Sequence, residues 1–247
     1  MIPFIVIIPA RYQSTRLPGK PLREIAGRPM IAHVIDRARE SGASRIIVAT
    51  DHAGIAQVVE GLGARVCMTR DDHFSGTDRL AEVVDIAGLS GTDIVVNLQG
   101  DEPLMPAPLL DQVAGLLHEK PQASIATLSS PMTEAAMMDD PNIVKVVATH
   151  HGRALYFSRA PIPWDRSQSD SNALKAAQRH LGLYAYRADF LKRVAMLPPS
   201  PLEQLEQLEQ LRALQAGEWI EVAEAIRPPA QGVDTIEDLQ RVEATFQ

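Results

Sequence analysis

The chain has 247 residues, of which 45% are hydrophobic and 22% charged, so it is long enough to bury a core and has the composition of a soluble globular protein. Its net charge of −7 disfavours non-specific nucleic-acid binding, and its single cysteine, Cys67, excludes an internal disulfide and fits a reducing cytoplasm. The apolar run at the N-terminus is too short to span a membrane and has no basic residue before it, so we expect neither a membrane segment nor a signal peptide.

Short runs rich in valine and isoleucine alternate with amphipathic stretches in the first half of the chain. The runs are apolar on both faces, which is typical of strands in a covered parallel sheet. They span residues 2–9, 45–50, 64–69 and 93–99. The stretches between them have helical periodicity and end at glycines. They span residues 30–42, 53–63 and 77–88. This alternation predicts a doubly wound, mostly parallel α/β sheet.

The middle of the chain changes character after a predicted helix at 107–119 and a predicted strand at 123–129. Residues 142–165 read as two strands joined by a turn at His151-Gly152, and 180–187 as a third. The polar segment 166–178 between them predicts an exposed loop. We expect a β excursion that belongs to the same domain and could supply a subunit interface.

A leucine recurs at every third position in SPLEQLEQLEQLRALQAG, residues 200–217. This spacing drifts around a helix of 3.6 residues per turn, so it does not form a coiled-coil seam. We predict one amphipathic helix docked on the sheet. The segment 219–226 then predicts a strand, and 232–246 a turn followed by a helix.

Three cations follow the first predicted strand, in the segment IIPARYQSTRLPGKPL at 7–22: Arg11, Arg16 and Lys20. Ligands of open α/β sheets bind outside the carboxyl ends of the strands, and guanidinium groups pair well with phosphate oxygens. The segment has neither the P-loop pattern nor G-x-G-x-x-G, which disfavours an ordinary kinase or dehydrogenase. We therefore expect an anionic ligand here, although a solvated basic loop with surface ion pairs explains the same residues.

The same segment resembles the nucleotide-binding signature of sugar nucleotidyltransferases, with the spacing R-x-x-x-T-R-x-x-x-K. More narrowly, the chain is similar to the 3-deoxy-manno-octulosonate cytidylyltransferase (CMP-Kdo synthetase) family over essentially its whole length. The further matching segments, in chain order, are RIIVATDH, HFSGTDRLAEV, VNLQGDEP, ALYFSRAPIPWDR, RHLGLYAYR, PLEQLEQLEQLR and GVDTIEDL.

The resemblance implies a Rossmann-like sheet of the nucleotidyltransferase type with a smaller mixed β excursion, all in one domain. Within that domain it implies a CTP-binding part at about 1–125, a sugar-binding and dimer-interface part at about 126–215, and a C-terminal strand and helix at 218–247.

The implied reaction transfers CMP from CTP to the anomeric hydroxyl of Kdo, giving CMP-Kdo and pyrophosphate for lipopolysaccharide synthesis. Such in-line attack on an α-phosphate depends on positioning and charge neutralisation, with Mg²⁺ as the implied cofactor. The resemblance further implies CTP and Kdo as substrates, a homodimer and a cytoplasmic location. Two alternatives stay open: the same chemistry on 8-amino-Kdo, a sialic acid or another sugar acid, and a non-catalytic nucleotide or sugar sensor.

The resemblance places the metal ligands at Asp101 and Asp234. Two carboxylates suffice for Mg²⁺ because phosphate oxygens and water complete its coordination shell. The residues alone leave other roles open. Asp101 could form a turn after Gly100, and Asp234 could cap a helix with Glu237 as its capping-box partner.

For the nucleotide, the resemblance implies contacts near the first-strand turn, in SGTDR and at the end of the strand before Asp101. The implied nucleotide-binding residues are Ala10, Arg11, Ser14, Arg16, Lys20, Ser75, Gly76, Arg79 and Gln99. Arg11, Lys20 and Asp101 are the expected catalytic residues. Which residues contact the base stays open, and Arg79 could instead be exposed in the first turn of a helix.

For the sugar acid, the resemblance implies a site made of Gln99, Arg159, His180, Tyr184, Glu209 and Gln210. Arg159 is the expected partner of the sugar carboxylate. His180 and Tyr184 would face one side of a strand, although each also suits a protein core. The leucine repeat offers an earlier Glu-Gln pair at 206–207, and the Leu-Arg dipeptide after the later pair favours the later one.

Overall fold

A computed structural model describes residues 2–13, 17–73, 75–167, 174–228 and 232–246. In these residues it shows a nine-stranded mixed sheet and a separate two-stranded hairpin, β2-β3. The strands are β1 (Ile5–Ala10), β2 (Glu24–Ile25), β3 (Arg28–Pro29), β4 (Arg45–Thr50), β5 (Arg65–Met68), β6 (Ile94–Asn97), β7 (Ile125–Pro131), β8 (Lys145–Ala148), β9 (Ala154–Ser158), β10 (Gln178–Arg187) and β11 (Ile220–Glu224).

The strand order along the main path of the sheet is β11-β7-β10-β6-β1-β4-β5, with β8 paired to β10 and β9 paired to β8. Strands β6, β1, β4 and β5 run parallel to one another, and β11 runs parallel to β7. Strand β10 is antiparallel to both β6 and β7. The sheet is therefore mostly parallel, as predicted, and β8, β9 and β10 form the mixed excursion.

Helices cover both faces of this sheet. They are α1 (Met30–Arg39), α2 (Ala53–Gly61), α3 (Gly76–Ile86), α4 (Ala107–Glu119), α5 (Ala136–Asp139), α6 (Ala188–Val194), α7 (Pro201–Glu206), α8 (Gln210–Gln215) and α9 (Ile236–Glu243). Short 3₁₀ turns lie at Lys20–Leu22 and Ala244–Phe246. The predicted boundaries in the first half of the chain are confirmed to within three residues. Among the described residues, no helix combines the length and the apolar content that crossing a bilayer requires.

Strand β1 shows why its sequence is apolar throughout. Its alternate side chains face opposite sides, with Val6 and Ile8 in the core beneath α1 and α4, and Ile5 and Ile7 in the core beneath α3 and α6. A strand covered on both faces has no side that tolerates polar residues. The prediction of a covered central strand is confirmed.

The leucine repeat does not form one helix, which corrects the prediction for residues 200–217. Helix α7 ends at Glu206 and is capped by Gln207, whose φ of 54° lies in the left-handed region, and α8 begins at Gln210. Leu205 is 81% exposed, whereas Leu208 and Leu211 are buried. A straight helix would carry leucines spaced by three around its surface, and the break turns the later ones toward the core.

Two features shape the edge of the sheet at the carboxyl ends of the parallel strands. Because β10 is antiparallel to β6, with Tyr184 opposite Asn97, its N-terminal half continues past the end of β6. Gly100 allows the chain after β6 to pass close to β1, since a Cβ at this position would lie 2.7 Å from the carbonyl oxygen of Pro9. This edge of the sheet is where ligands of open α/β sheets bind.

Candidate active site

A cavity of about 830 Å³ opens at this edge of the sheet. Its walls are the ends of β1 and β6, the N-terminal half of β10, the first turn of α3 and the break between α7 and α8. Its volume lies within the range of ligand sites, about 300–1,000 Å³. The residues predicted for the site that line it are Ala10, Arg11, Lys20, Gly76, Gln99, Asp101, His180, Tyr184, Glu209, Gln210 and Asp234.

Lys20 joins the two predicted metal ligands. Its Nζ donates to Asp101 Oδ2 at 2.8 Å and to Asp234 Oδ1 at 3.0 Å, although 133 residues separate the two aspartates in sequence. Burial lowers the pKa of Lys20, but the two carboxylates outweigh it and the pKa lies above its ordinary value. The two aspartates therefore face one cationic position. The alternative role of Asp234 as the helix cap is wrong, because Thr235 caps α9 with Asp238 as its capping-box partner.

This pair of carboxylates fits Mg²⁺, which takes few protein ligands and leaves the remaining positions to phosphate oxygens and water. Among the described residues, no group of three or more acidic, histidine or cysteine side chains is arranged to hold a metal. Glu102 lies beside Asp101 in the cavity wall, but burial and then the charge of Asp101 raise the pKa of Glu102 to about 8. Among the described residues, the Lys20 ammonium hydrogen-bonds Asp101 and Asp234 and not Glu102.

The cations of the first-strand segment are only partly described. Arg11 lines the cavity, and burial together with the nearby charge of Arg79 lowers the pKa of its guanidinium. Ser14 and Arg16 lie outside the described residues, so their predicted roles stay predictions. Gly19 has a φ of 66° and lies against the ring of Tyr12, which stacks on His52 with ring centroids 4.0 Å apart. These contacts hold the ring of Tyr12 between Gly19 and His52.

Arg79 and Ser75 are not among the residues that line the cavity, and their predicted nucleotide contacts stay predictions. Arg79 is fully buried, and its guanidinium donates to Thr69 and to Asp51 Oδ2, the latter at 2.7 Å. Ser75 caps α3 by accepting a hydrogen bond from the backbone of Asp78. Both side chains make contacts that hold the fold, and the interpretation of Arg79 as an exposed residue is wrong because it is fully buried.

Two predicted sugar ligands on β10 line the cavity and also contact the core. His180 Nε2 lies 3.1 Å from Thr127 Oγ1, and its ring packs edge-on against Phe157. Burial, with the charge of Arg179, lowers the pKa of His180 to about 3, so the ring is neutral at physiological pH. Burial also raises the pKa of Tyr184. Both groups can act only as neutral hydrogen-bonding partners.

The side chain of Arg159, the predicted partner of the sugar carboxylate, is held by the protein itself, so its predicted role stays a prediction. Its guanidinium donates to the carbonyl oxygens of Glu206 and Pro141, both at 2.7 Å, and it is not part of the cavity wall. The earlier Glu-Gln pair of the repeat contributes to this arrangement, since Glu206 also accepts from the Arg159 backbone. The later pair faces the cavity, with Glu209 accepting from Thr77 Oγ1 at 2.6 Å.

The prediction missed Arg179, Glu102 and Asn97, all of which line the cavity. Within the described part of the chain, the Arg179 guanidinium makes no hydrogen bond or ion pair. The family resemblance already included the segments that carry two of them, since Arg179 opens RHLGLYAYR and Asn97 lies within VNLQGDEP. Strand alternation alone could not show which of these side chains points into the site.

A family model described as cytidylyltransferase matches residues 5–220. The chain belongs to this cytidylyltransferase family. It is also similar to a solved structure of CMP:2-keto-3-deoxy-manno-octonic acid synthetase complexed with CTP, at 42% sequence identity over 99% of this chain and 98% of that chain, with a TM-score of 0.90. The predicted α/β fold of the nucleotidyltransferase type is confirmed, and the chain is an enzyme of the cytidylyltransferase family.

A second solved structure, a cytidylyltransferase from Leptospira borgpetersenii serovar Hardjo-bovis (strain JB197), has a TM-score of 0.63. Its sequence is 16% identical to the present chain, over 98% of this chain and 85% of that chain. At this identity the likeness concerns the fold alone.

Proposed function

We propose that this enzyme transfers CMP from CTP to the anomeric hydroxyl of Kdo, releasing CMP-Kdo and pyrophosphate for lipopolysaccharide synthesis. The observation that carries the proposal is the meeting of Lys20, Asp101 and Asp234 in a cavity at the carboxyl ends of the strands. The likeness to a Kdo-activating synthetase in complex with CTP supports the same choice of substrates.

The basic side chains of the cavity suit the phosphates of CTP. Arg11 and Lys20 would bind phosphate oxygens, since paired N–H donors and a compact ammonium both stabilise charge that builds up on transferring phosphoryl groups. Asp101 and Asp234 would hold Mg²⁺, which when bound supplies further positive charge to the phosphates. The sugar hydroxyl attacks the α-phosphorus while the bond to pyrophosphate breaks, which requires both substrates to be held in line.

The sugar acid would occupy the part of the cavity formed by β10 and the α7-α8 break. We assign its carboxylate to Arg179 in place of Arg159, because Arg179 is a cavity-lining cation whose guanidinium is not already paired within the described residues. His180, Tyr184, Glu209 and Gln210 would then bind hydroxyl groups along the same wall. A homodimer formed through the β8, β9 and β10 excursion and a cytoplasmic location belong to the same proposal.

Pyrophosphate release from the purified chain with CTP, Kdo and Mg²⁺ tests the proposal. We expect turnover in wild type and a loss of about 100-fold or more in Asp101→Asn, as for removal of a key electrostatic contact. Asp111→Asn is a matched control, since Asp111 accepts a hydrogen bond from Gly42 at a distance from the cavity.

An inactive wild-type chain that still binds CTP tightly would instead support a sensor. A much higher kcat/KM for 8-amino-Kdo or a sialic acid than for Kdo would keep the chemistry and change the sugar.

A further inference from the structure

Two buried amide atoms in the cavity wall have no hydrogen-bond partner among the described residues: Asn97 Oδ1 and Gln210 Nε2. Asn97 is 3% exposed and Gln210 is 8% exposed, so water has little access to either. Buried polar side-chain atoms nearly always have a partner, because leaving one unpaired costs free energy. Their position indicates that a bound ligand supplies the missing hydrogen bonds.

Asn97 is linked to its surroundings through the hydroxyl of Tyr186. Asn97 ends β6, and its side chain and that of Thr77 hydrogen-bond the hydroxyl of Tyr186. Burial raises the pKa of Tyr186, so this hydroxyl keeps its proton. In the structure the amide oxygen of Asn97 is the buried atom that has no partner among the described residues.

The same hydrogen-bond network reaches the segment that carries Gln210. Thr77 donates to Glu209 Oε2 at 2.6 Å, and Glu209 precedes Gln210 at the start of α8. Side chains linked by such a network move little relative to one another, which preorganises the wall of a site. Asn97 and Gln210 therefore line the same cavity, although they are 113 positions apart in sequence.

The two unpaired atoms are of opposite kind, and this restricts the ligand. Asn97 Oδ1 can only accept a hydrogen bond, and Gln210 Nε2 can only donate one. A hydroxyl group both donates and accepts, so the hydroxyl groups of a sugar bound in this cavity can satisfy both atoms. A protonated amine only donates, so it would leave Gln210 Nε2 unpaired.

We propose that Asn97 is a further sugar-binding residue and that it forms, with Gln210, a subsite that selects a hydroxyl over a protonated amine. The inference rests on the proposed function, because it concerns the sugar acid that the enzyme activates. It distinguishes between hydroxyl and amino sugars, which the resemblance to a family leaves open.

The first experiment compares kcat/KM for the preferred sugar acid and for analogues that each lack one hydroxyl. In wild type, removal of a hydroxyl bound by Asn97 should lower kcat/KM at least tenfold. Asn97→Leu should lower kcat/KM for the parent sugar by a similar factor, and its values for parent and analogue should agree within threefold. The Kd for CTP should stay within twofold of wild type, which checks that the variant is folded.

The second experiment replaces the donor by an acceptor. In Gln210→Glu the carboxylate can accept from an ammonium group, so the ratio of kcat/KM for the amino analogue at the identified carbon to that for the parent sugar should rise at least tenfold. Gln204→Glu is the matched control, since Gln204 has the same Leu-Glu-Gln context but is exposed on α7 and outside the cavity wall. This control should leave the ratio unchanged.

The inference is wrong if no analogue is penalised through Asn97, or if Gln210→Glu and Gln204→Glu give the same ratio. If Asn97→Leu fails to fold, the comparison of Gln210→Glu with Gln204→Glu still tests the subsite. It is then made with amino analogues at each carbon whose hydroxyl the wild-type enzyme requires. If the wild-type chain turns over no sugar acid, the proposed function fails, and the same comparisons made as Kd values by calorimetry still test the subsite.

Discussion

Replacing Arg179 and Arg159 separately by glutamine distinguishes a cavity cation from a structural one. Arg179 lines the cavity, whereas the Arg159 side chain donates to the carbonyl oxygens of Glu206, Pro141 and Gln207. We therefore expect Arg179→Gln to weaken sugar recognition and Arg159→Gln to lower folding stability.

The magnitudes follow from the contacts. A hydrogen bond to a charged group contributes about 1.5–3 kcal/mol, so Arg179→Gln should raise KM for the sugar acid by about 10–100-fold. KM for CTP should change by less than about threefold. Arg159 makes two close hydrogen bonds and one longer one at 3.4 Å, so Arg159→Gln should lose about 1–3 kcal/mol of stability. For a chain of this size that lowers Tm by about 3–10 °C.

The assay is initial-rate kinetics with the sugar acid varied at saturating CTP, together with thermal unfolding of each variant. A sugar analogue with a neutral amide in place of the carboxylate adds a direct check, since wild type should discriminate against it and Arg179→Gln should not. The assignment is refuted if Arg159→Gln raises KM for the sugar selectively while Arg179→Gln leaves it unchanged.

Three further predictions concern stability. Arg212→Met should lower the free energy of unfolding by about 3–5 kcal/mol, because it leaves the buried carboxylate of Glu203 without the guanidinium that it contacts at 2.6 and 2.8 Å. Adding Glu203→Gln should recover part of this loss in urea unfolding, and no recovery would contradict the explanation. His180 has a folded pKa of about 3 against about 6.5 unfolded, so it binds a proton only on unfolding and its contribution to stability is lost as the pH falls from 6.5 toward 3. The urea midpoint of His180→Gln should consequently fall less than that of wild type between pH 7.5 and 4.5, and equal falls would count against a neutral buried histidine. Gly100→Ala should lower the free energy of unfolding by about 1–3 kcal/mol, since the new Cβ would lie 2.7 Å from a β1 carbonyl oxygen. Gly115→Ala, in open space on α4, should be neutral or stabilising. Similar changes in Tm for the two variants would refute the clash.

The sequence could predict those features that depend on local pattern. The apolar run of β1 indicated a strand covered on both faces, and the stretches between such runs indicated helices, because side-chain periodicity follows directly from backbone geometry. The cationic segment after β1 could be placed at the ligand-binding edge, because the carboxyl ends of parallel strands share one edge. The family resemblance then added Asp101 and Asp234, which the structure brings to one ammonium group.

Only the tertiary structure decided where individual side chains point. Arg79, Arg159 and Arg179 are equally plausible ligands by residue type, yet the first is buried against Asp51, the second donates to backbone carbonyls and the third lines the cavity. The helix break at Gln207, which lies inside a repeat of three identical Glu-Gln pairs, likewise depends on packing against the sheet. The physical reason is that these outcomes depend on strand register and on partners far away in the chain, and tertiary contacts of this kind override local propensity.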